Sequence, residues 1–133
     1  MSNHEDDWNQ PAVQLFLKIK RKTKMAVRMT KITYTSDAIT TMIKNNDSRE
    51  AAAKAAVESA GGKFLGFYGC MGQDYDVVVI SDMELTDYLS LVGTVMMGGA
   101  CSGIDTVSCY TGDEVTAAMA KTMGKAVDYK PPS

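Results

Sequence analysis

The sequence contains a single histidine, His4, and it lies in a polar leader. A Ser-His-Asp triad, a histidine-rich metal site and a histidine-ligated haem each need a histidine held inside the fold. The sequence speaks against all three. Cysteine is also scarce: Cys70, Cys101 and Cys109 stand alone, with no C-x-x-C pair. In a reducing compartment, isolated cysteines read as small buried apolar residues. Apart from Glu5-Asp6-Asp7 in the leader and Asp113-Glu114, acidic residues occur singly, so no metal-ligand cluster is evident and no cofactor is called for. Long apolar runs are missing too. The stretch Leu89–Cys101 has 13 residues and three glycines, too short to span a bilayer. Met1–Gln10 is acidic and polar, without the charged, apolar, small-residue order of a signal peptide. The expected location is cytoplasmic, with no membrane partner. There is no basic excess either. The net charge is −2 and the pI about 5.3, which argues against a general nucleic-acid binder.

What is present is an ordinary globular composition. Of the 133 residues, 45% are hydrophobic and 23% charged, enough for one compact domain. Residues 1–24 read as a leader or arm. Its five basic and three acidic residues include the run Lys18-Ile19-Lys20-Arg21-Lys22-Thr23-Lys24, and a strand-like alternation begins at Val13. Residues 25–127 form the domain, and 128–133 a short tail closed by Pro131-Pro132.

Inside the domain the pattern is clear. Residues 26–35 end in Ile32-Thr33-Tyr34-Thr35, a strand, and the phase change between Met29 and Ile32 predicts a bulge there. Ile39, Met42 and Ile43 have helical spacing. Asp47 and Glu50 resemble a capping arrangement before the alanine-rich helix at 48–60, and Gly61-Gly62 stops that helix. Strands follow at 63–70 and 75–81, joined as a hairpin through Met71-Gly72-Gln73-Asp74. Leu85, Tyr88, Leu89, Val92, Val95 and Met96 mark a second main helix ended by Gly98-Gly99. Ile104–Tyr110 reads as a fourth strand. Thr111 with Glu114 forms a capping box for a last helix through Val115, Ala118, Met119 and Met123.

Strand, helix, hairpin, helix, strand is the split βαβ pattern. The fold class is therefore α+β: a ferredoxin-like βαββαβ antiparallel sheet with an extra C-terminal helix. Right-handed crossovers put the main helices on one sheet face. The strand order is then 4-1-3-2, with Cys70 and Cys109 on opposite edges, too far apart to bridge. Val77-Val78-Val79-Ile80 is apolar in both phases, so both sheet faces need cover. The helices cover one. A second copy is expected on the other, giving a homodimer, or a higher oligomer built from such dimers, around a dimeric α/β barrel.

Tyr34-Thr35, Gly61-Gly62, Gly66-Phe67-Tyr68 and Tyr75-Asp76 together resemble the GYD-domain family of small bacterial and archaeal proteins, over about residues 26–115. The turn Gly72-Gln73-Asp74-Tyr75-Asp76 is one residue longer than that family's Gly-x-Tyr-Asp. The resemblance implies a ferredoxin-like fold of the dimeric α/β-barrel type and little about activity.

The polar groups available for chemistry are few. Tyr68, Tyr75 and Asp76 are the catalytic candidates, because a phenol can hold or protonate a ligand oxygen and a neighbouring carboxylate can accept a proton. The same residues can instead pack the hairpin and bond turn amides. Tyr34, Tyr68, Tyr75 and Arg28 are the ligand-binding candidates, and an inward-facing Arg28 or Lys31 would mark an anionic ligand. Those two cations can equally reach solvent or pair with acids. Gly98-Gly99-Ala100-Cys101-Ser102-Gly103 follows a helix rather than preceding one, so it is a connection or lid, not a phosphate cradle. Cys101 has no basic residue close in sequence to lower its pKa. The leading expectation is a homo-oligomer that binds a small organic molecule. The alternatives are a cofactor-independent enzyme of isomerase or small-oxygenase type, and a purely structural assembly protein.

Overall fold

The computed structural model describes residues 10–14 and 25–133. Residues 11–14 form one helical turn, where the alternation from Val13 predicted a strand. The rest of that stretch and the basic run at 18–24 lie outside the described residues. From Ala26 the chain runs β1 (Ala26–Tyr34), α1 (Ser36–Asn45), α2 (Glu50–Ser59), β2 (Lys63–Gly69), β3 (Val77–Met83), α3 (Leu85–Met97), β4 (Cys101–Ser108) and α4 (Gly112–Met123). The four strands form one open antiparallel sheet in the order β2-β3-β1-β4. This is the ferredoxin-like order read from the sequence, and it puts Cys70 and Cys109 beyond the two opposite edge strands. All three cysteines are free.

Each element has a local cause. Thr35 caps α1, its Oγ1 accepting from the Ala38 amide at 3.1 Å. Thr111 and Glu114 form the capping box of α4 in both directions. Gly61 (φ 89°) and Gly99 (φ 79°) take the left-handed turns that end α2 and α3. The start of α2 differs from expectation. Its cap is Arg49 in left-handed conformation, and Asp47 Oδ1 accepts from the Arg49 amide at 2.8 Å instead of capping toward Glu50.

Strand alternation sorts the sheet into two faces. Arg28, Thr30 and Ile32 of β1 point toward the helices and are buried. Their register partners on β3 are Ser81, Val79 and Val77. The β1 register runs without a break from Ala26 to Ile32, so the bulge expected at Met29–Ile32 is absent. The irregularity falls instead at Thr33/Tyr34 against β4, where the strand end bends toward Cys101. The apparent phase change in sequence came from Arg28 and Thr30, polar residues that occupy core-facing positions. Because Tyr34 pairs with Cys101, β4 begins there rather than at Ile104.

The core is thin: Ile32, Val57, Val77, Val79, Met83 and Tyr88. Met83 is fully buried under the α2–β2 connection. A methyl group at Gly62 would lie 2.5 Å from Met83 Cγ and 3.1 Å from Val57 Cγ1. Gly62→Ala should therefore destabilise the fold by about 1–3 kcal/mol through overpacking. Met83→Ala should cost about 2–5 kcal/mol through the cavity it leaves. The double variant should cost less than the two together, since the new methyl uses the vacated space. Urea unfolding of the three variants checks this.

Candidate functional site

The helices do not seal the sheet. α2 packs along β2 and α3 along β4, leaving a slot between them over the centre of the sheet. Its walls on the α2 side are Ala53 and Ala56, side chains too short to meet Val95 of α3 across the gap. The inner part is a cavity of about 60 Å³ reaching Thr30, Ser81 and Tyr88. The outer part, about 270 Å³, shares Ile32, Ala53, Ala56 and Val95 with it and opens toward Tyr34, Arg49 and Cys101. Tyr34 and Arg49 also border a wider hollow of about 400 Å³ against α1. Apolar walls with a few polar groups at the ends are the usual build of a small-molecule site.

The mouth is positioned by the turn that precedes β3. Asp76 Oδ2 accepts from the Tyr34 backbone amide at 2.8 Å. The Asp76 amide donates to Ile32 O, and the Cys70 amide donates to Asp76 O, both at 2.8 Å. Thr33 Oγ1 donates to Asp74 O at 3.1 Å. The long turn is thus stitched to the end of β1 at three points and to the end of β2 at one, and Gly72 (φ 80°) supplies its left-handed residue.

Burial pushes the Tyr34 phenol above its ordinary pKa, helped by Cys101 and Asp76 and opposed by Arg49. Burial likewise raises the Cys101 thiol, with Arg49 pulling the other way. Both groups are neutral near pH 7. The phenol is a hydrogen-bond donor and acceptor, and the thiol is a poor nucleophile. The mouth is equipped to hold a ligand rather than to attack one.

Arg49 was missed by the sequence reading. It is a left-handed non-glycine residue (φ 67°), a conformation with a cost of its own and one that collects at functional sites. Asp47 fixes it twice, accepting from its amide and from Nη1 at 3.2 Å. Those two bonds hold the Asp47 carboxyl below its ordinary pKa. The basic partner that Cys101 lacks in sequence is supplied here in space. The available signal was an arginine placed directly between the Asn45-Asn46-Asp47 break and the alanine-rich helix.

A family model described as the GYD domain matches residues 29–119. The chain belongs to the GYD-domain family. A search of curated proteins and a search of solved structures each returned no match. Within this GYD domain the signature turn does two separate jobs. Asp76 anchors Tyr34 at the slot. Tyr75 points the other way, its ring centroid 5.0 Å from Lys31 Nζ. Lys31, Val78 and Tyr68 are neighbours in register across β1, β3 and β2, on the face away from the helices. Tyr68 is 59% exposed there. The structure therefore brings Tyr34, Asp76 and Cys101 together, leaves Tyr68 and Tyr75 on the opposite face, and buries Arg28 at the other end of β1. Among the described residues, no group of three His, Cys, Asp or Glu side chains is placed to hold a metal ion. No helix among them is long and apolar enough to cross a membrane.

Two outcomes follow. Asp76→Ala should destabilise the protein by about 1–3 kcal/mol, leaving the Tyr34 amide unpaired, while Asp76→Asn keeps an acceptor and costs less. Chemical denaturation of both variants reads this. With Cys70 and Cys109 replaced by serine, Cys101 should react with iodoacetamide more slowly than free cysteine near neutral pH. Its raised pKa moves the onset of reaction to higher pH. Arg49→Ala should slow it further, because the charge that favours the thiolate is gone; mass spectrometry of alkylation across pH measures both.

Proposed function

We propose that this GYD-domain protein binds a small, partly apolar molecule in the slot between α2 and α3, and that it acts as a homodimer or higher oligomer paired through its open sheet face. The observation that carries the binding reading is the slot itself. Ala53 and Ala56 leave a continuous apolar channel where larger side chains would have completed the core, with the Tyr34 phenol and the Arg49 guanidinium at its mouth. A ligand with an apolar body and a hydrogen-bond acceptor at one end matches that lining. The neutral phenol and thiol favour retention over covalent chemistry.

The pairing is supported by the other face. It presents Val27 and Met29 of β1, Val78 and Ile80 of β3, and Val107 of β4. Lys31 stands opposite Asp105, and Lys63 opposite Asp82, so the face carries both signs in equal number. An apolar centre with balanced charges is suited to meeting a copy of itself about a two-fold axis. Such pairing would form a dimeric α/β barrel with Tyr68 and Tyr75 inside.

Native mass spectrometry of the full chain tests both parts. The expected spectrum shows two or more chains with an organic molecule retained. Ala56→Leu fills the slot and should abolish retention while leaving the assembly intact. Met29→Glu puts a charge in the middle of the open face and should give monomers that still hold the molecule. An empty wild-type assembly would favour a purely structural role, and a wild-type monomer would remove the barrel. Turnover lost in Tyr75→Phe with the assembly kept would favour the enzyme reading.

A further inference from the structure

Arg28 is a buried cation outside the slot. It lies on the helix-facing side of β1, 6% exposed, between Ser81 of β3 and Ser108 of β4 in register. Its guanidinium has five N–H donors and stays charged in proteins. It uses them sparingly. Nη1 donates to Ser108 Oγ over a long 3.4 Å. Nε is buried with no hydrogen-bond partner. The Tyr88 ring lies beneath it, with Cζ 5.0 Å from the centroid. Among the described residues, no carboxylate forms an ion pair with it. A buried charge of this kind is costly unless an opposite charge completes it, and one aromatic face offsets only part of that cost.

We propose that Arg28 holds a small oxyanion, a carboxylate or phosphate group, against Ser108 and the Tyr88 ring. The guanidinium edge that carries Nε takes two oxygens in parallel bonds, a match a halide cannot make. Ser108 Oγ already accepts from Arg28, so its own hydrogen is free to donate to the anion. The Tyr88 hydroxyl is occupied, sharing bonds with Thr30 Oγ1 at 2.9 Å and Thr106 Oγ1 at 2.6 Å. That fixes the ring under the guanidinium and keeps Arg28 apart from the slot, whose inner end Tyr88 lines. Access is from the edge of the sheet, where Ser108 is solvent-exposed. Nε itself is enclosed by the chain, so the anion enters as the side chains around it give way. The site does not depend on what fills the slot.

The test is thermal melting of the full chain in inorganic phosphate or acetate against chloride at equal ionic strength. The wild type should show a saturable rise in melting temperature with phosphate or acetate. Arg28→Met should fold, be at least as stable as wild type in chloride, and lose the saturable rise; any general salting effect persists in it and is subtracted. Arg28→Lys keeps the charge without Nε and should need about tenfold more anion for half-saturation. The proposal is overturned if the wild type does not distinguish phosphate or acetate from chloride, or if Arg28→Met responds as the wild type does. Where Arg28→Met fails to fold, Arg28→Lys decides, and a half-saturation equal to wild type overturns it.

Discussion

The hydrogen bond from the Tyr34 amide to the Asp76 carboxylate ties together most of what is distinctive here. β1 is one of the two central strands, and the chain must leave the sheet at its end to start α1. Its pairing with β3 ends at Ile32, which leaves the Tyr34 amide without a strand partner on that side. Asp76 meets that amide from the side of β3 while its own backbone pairs with Ile32 and Cys70. One acidic side chain thereby closes the long turn, ends β1 at a defined residue and sets Tyr34 at the mouth of the slot. The glycine, tyrosine and aspartate of the family signature are then parts of a joint. Glycine makes the turn, aspartate fastens it, and tyrosine is left facing outward from the sheet.

The slot follows from what α2 is made of. A helix of Glu50-Ala51-Ala52-Ala53-Lys54-Ala55-Ala56-Val57 forms readily, since alanine has the highest helix propensity. It buries little: Val57 is its one buried residue. A thin core is the other side of that choice, and Met83 and Ser81 are the largest fully buried side chains in the described residues. Longer side chains at 53 and 56 would bury more apolar surface, at roughly 25 cal/mol per Å². The sequence forgoes that stabilisation at the place where the sheet is most central and the two helices diverge.

The order of elements was legible because each carries a local signal: β-branched and aromatic residues in β1, a continuous apolar run in β3, period 3.6 in α3, glycine pairs at both main helix ends, and the Thr111–Glu114 box. The strand order came from the split βαβ pattern with right-handed crossovers. The misreadings share one cause, which is that the deciding interaction is not local. Arg28 and Thr30 looked like a break in phase because a buried arginine over Tyr88 cannot be told from a solvated one without the helix above it. Asp47 looked like a helix cap because its actual partner, the Arg49 amide, requires a left-handed residue that no rule assigns to arginine. Asp76 was legible as important, but not for the bond it makes, since Tyr34 is 42 residues away in sequence.

The two faces of the sheet also decide what kind of chemistry each tyrosine can do. Tyr34 is enclosed by the single chain, and burial keeps it a neutral hydrogen-bonding group. Tyr68 and Tyr75 lie on the face away from the helices, with no helix among the described residues packed over it. Catalysis needs water excluded and partners fixed, and neither condition is met on an open sheet. Any acid–base role for those two residues would need that face covered. The slot is formed within one chain. The two faces can be separated by substitution, because no residue lining the slot sits on the face away from the helices.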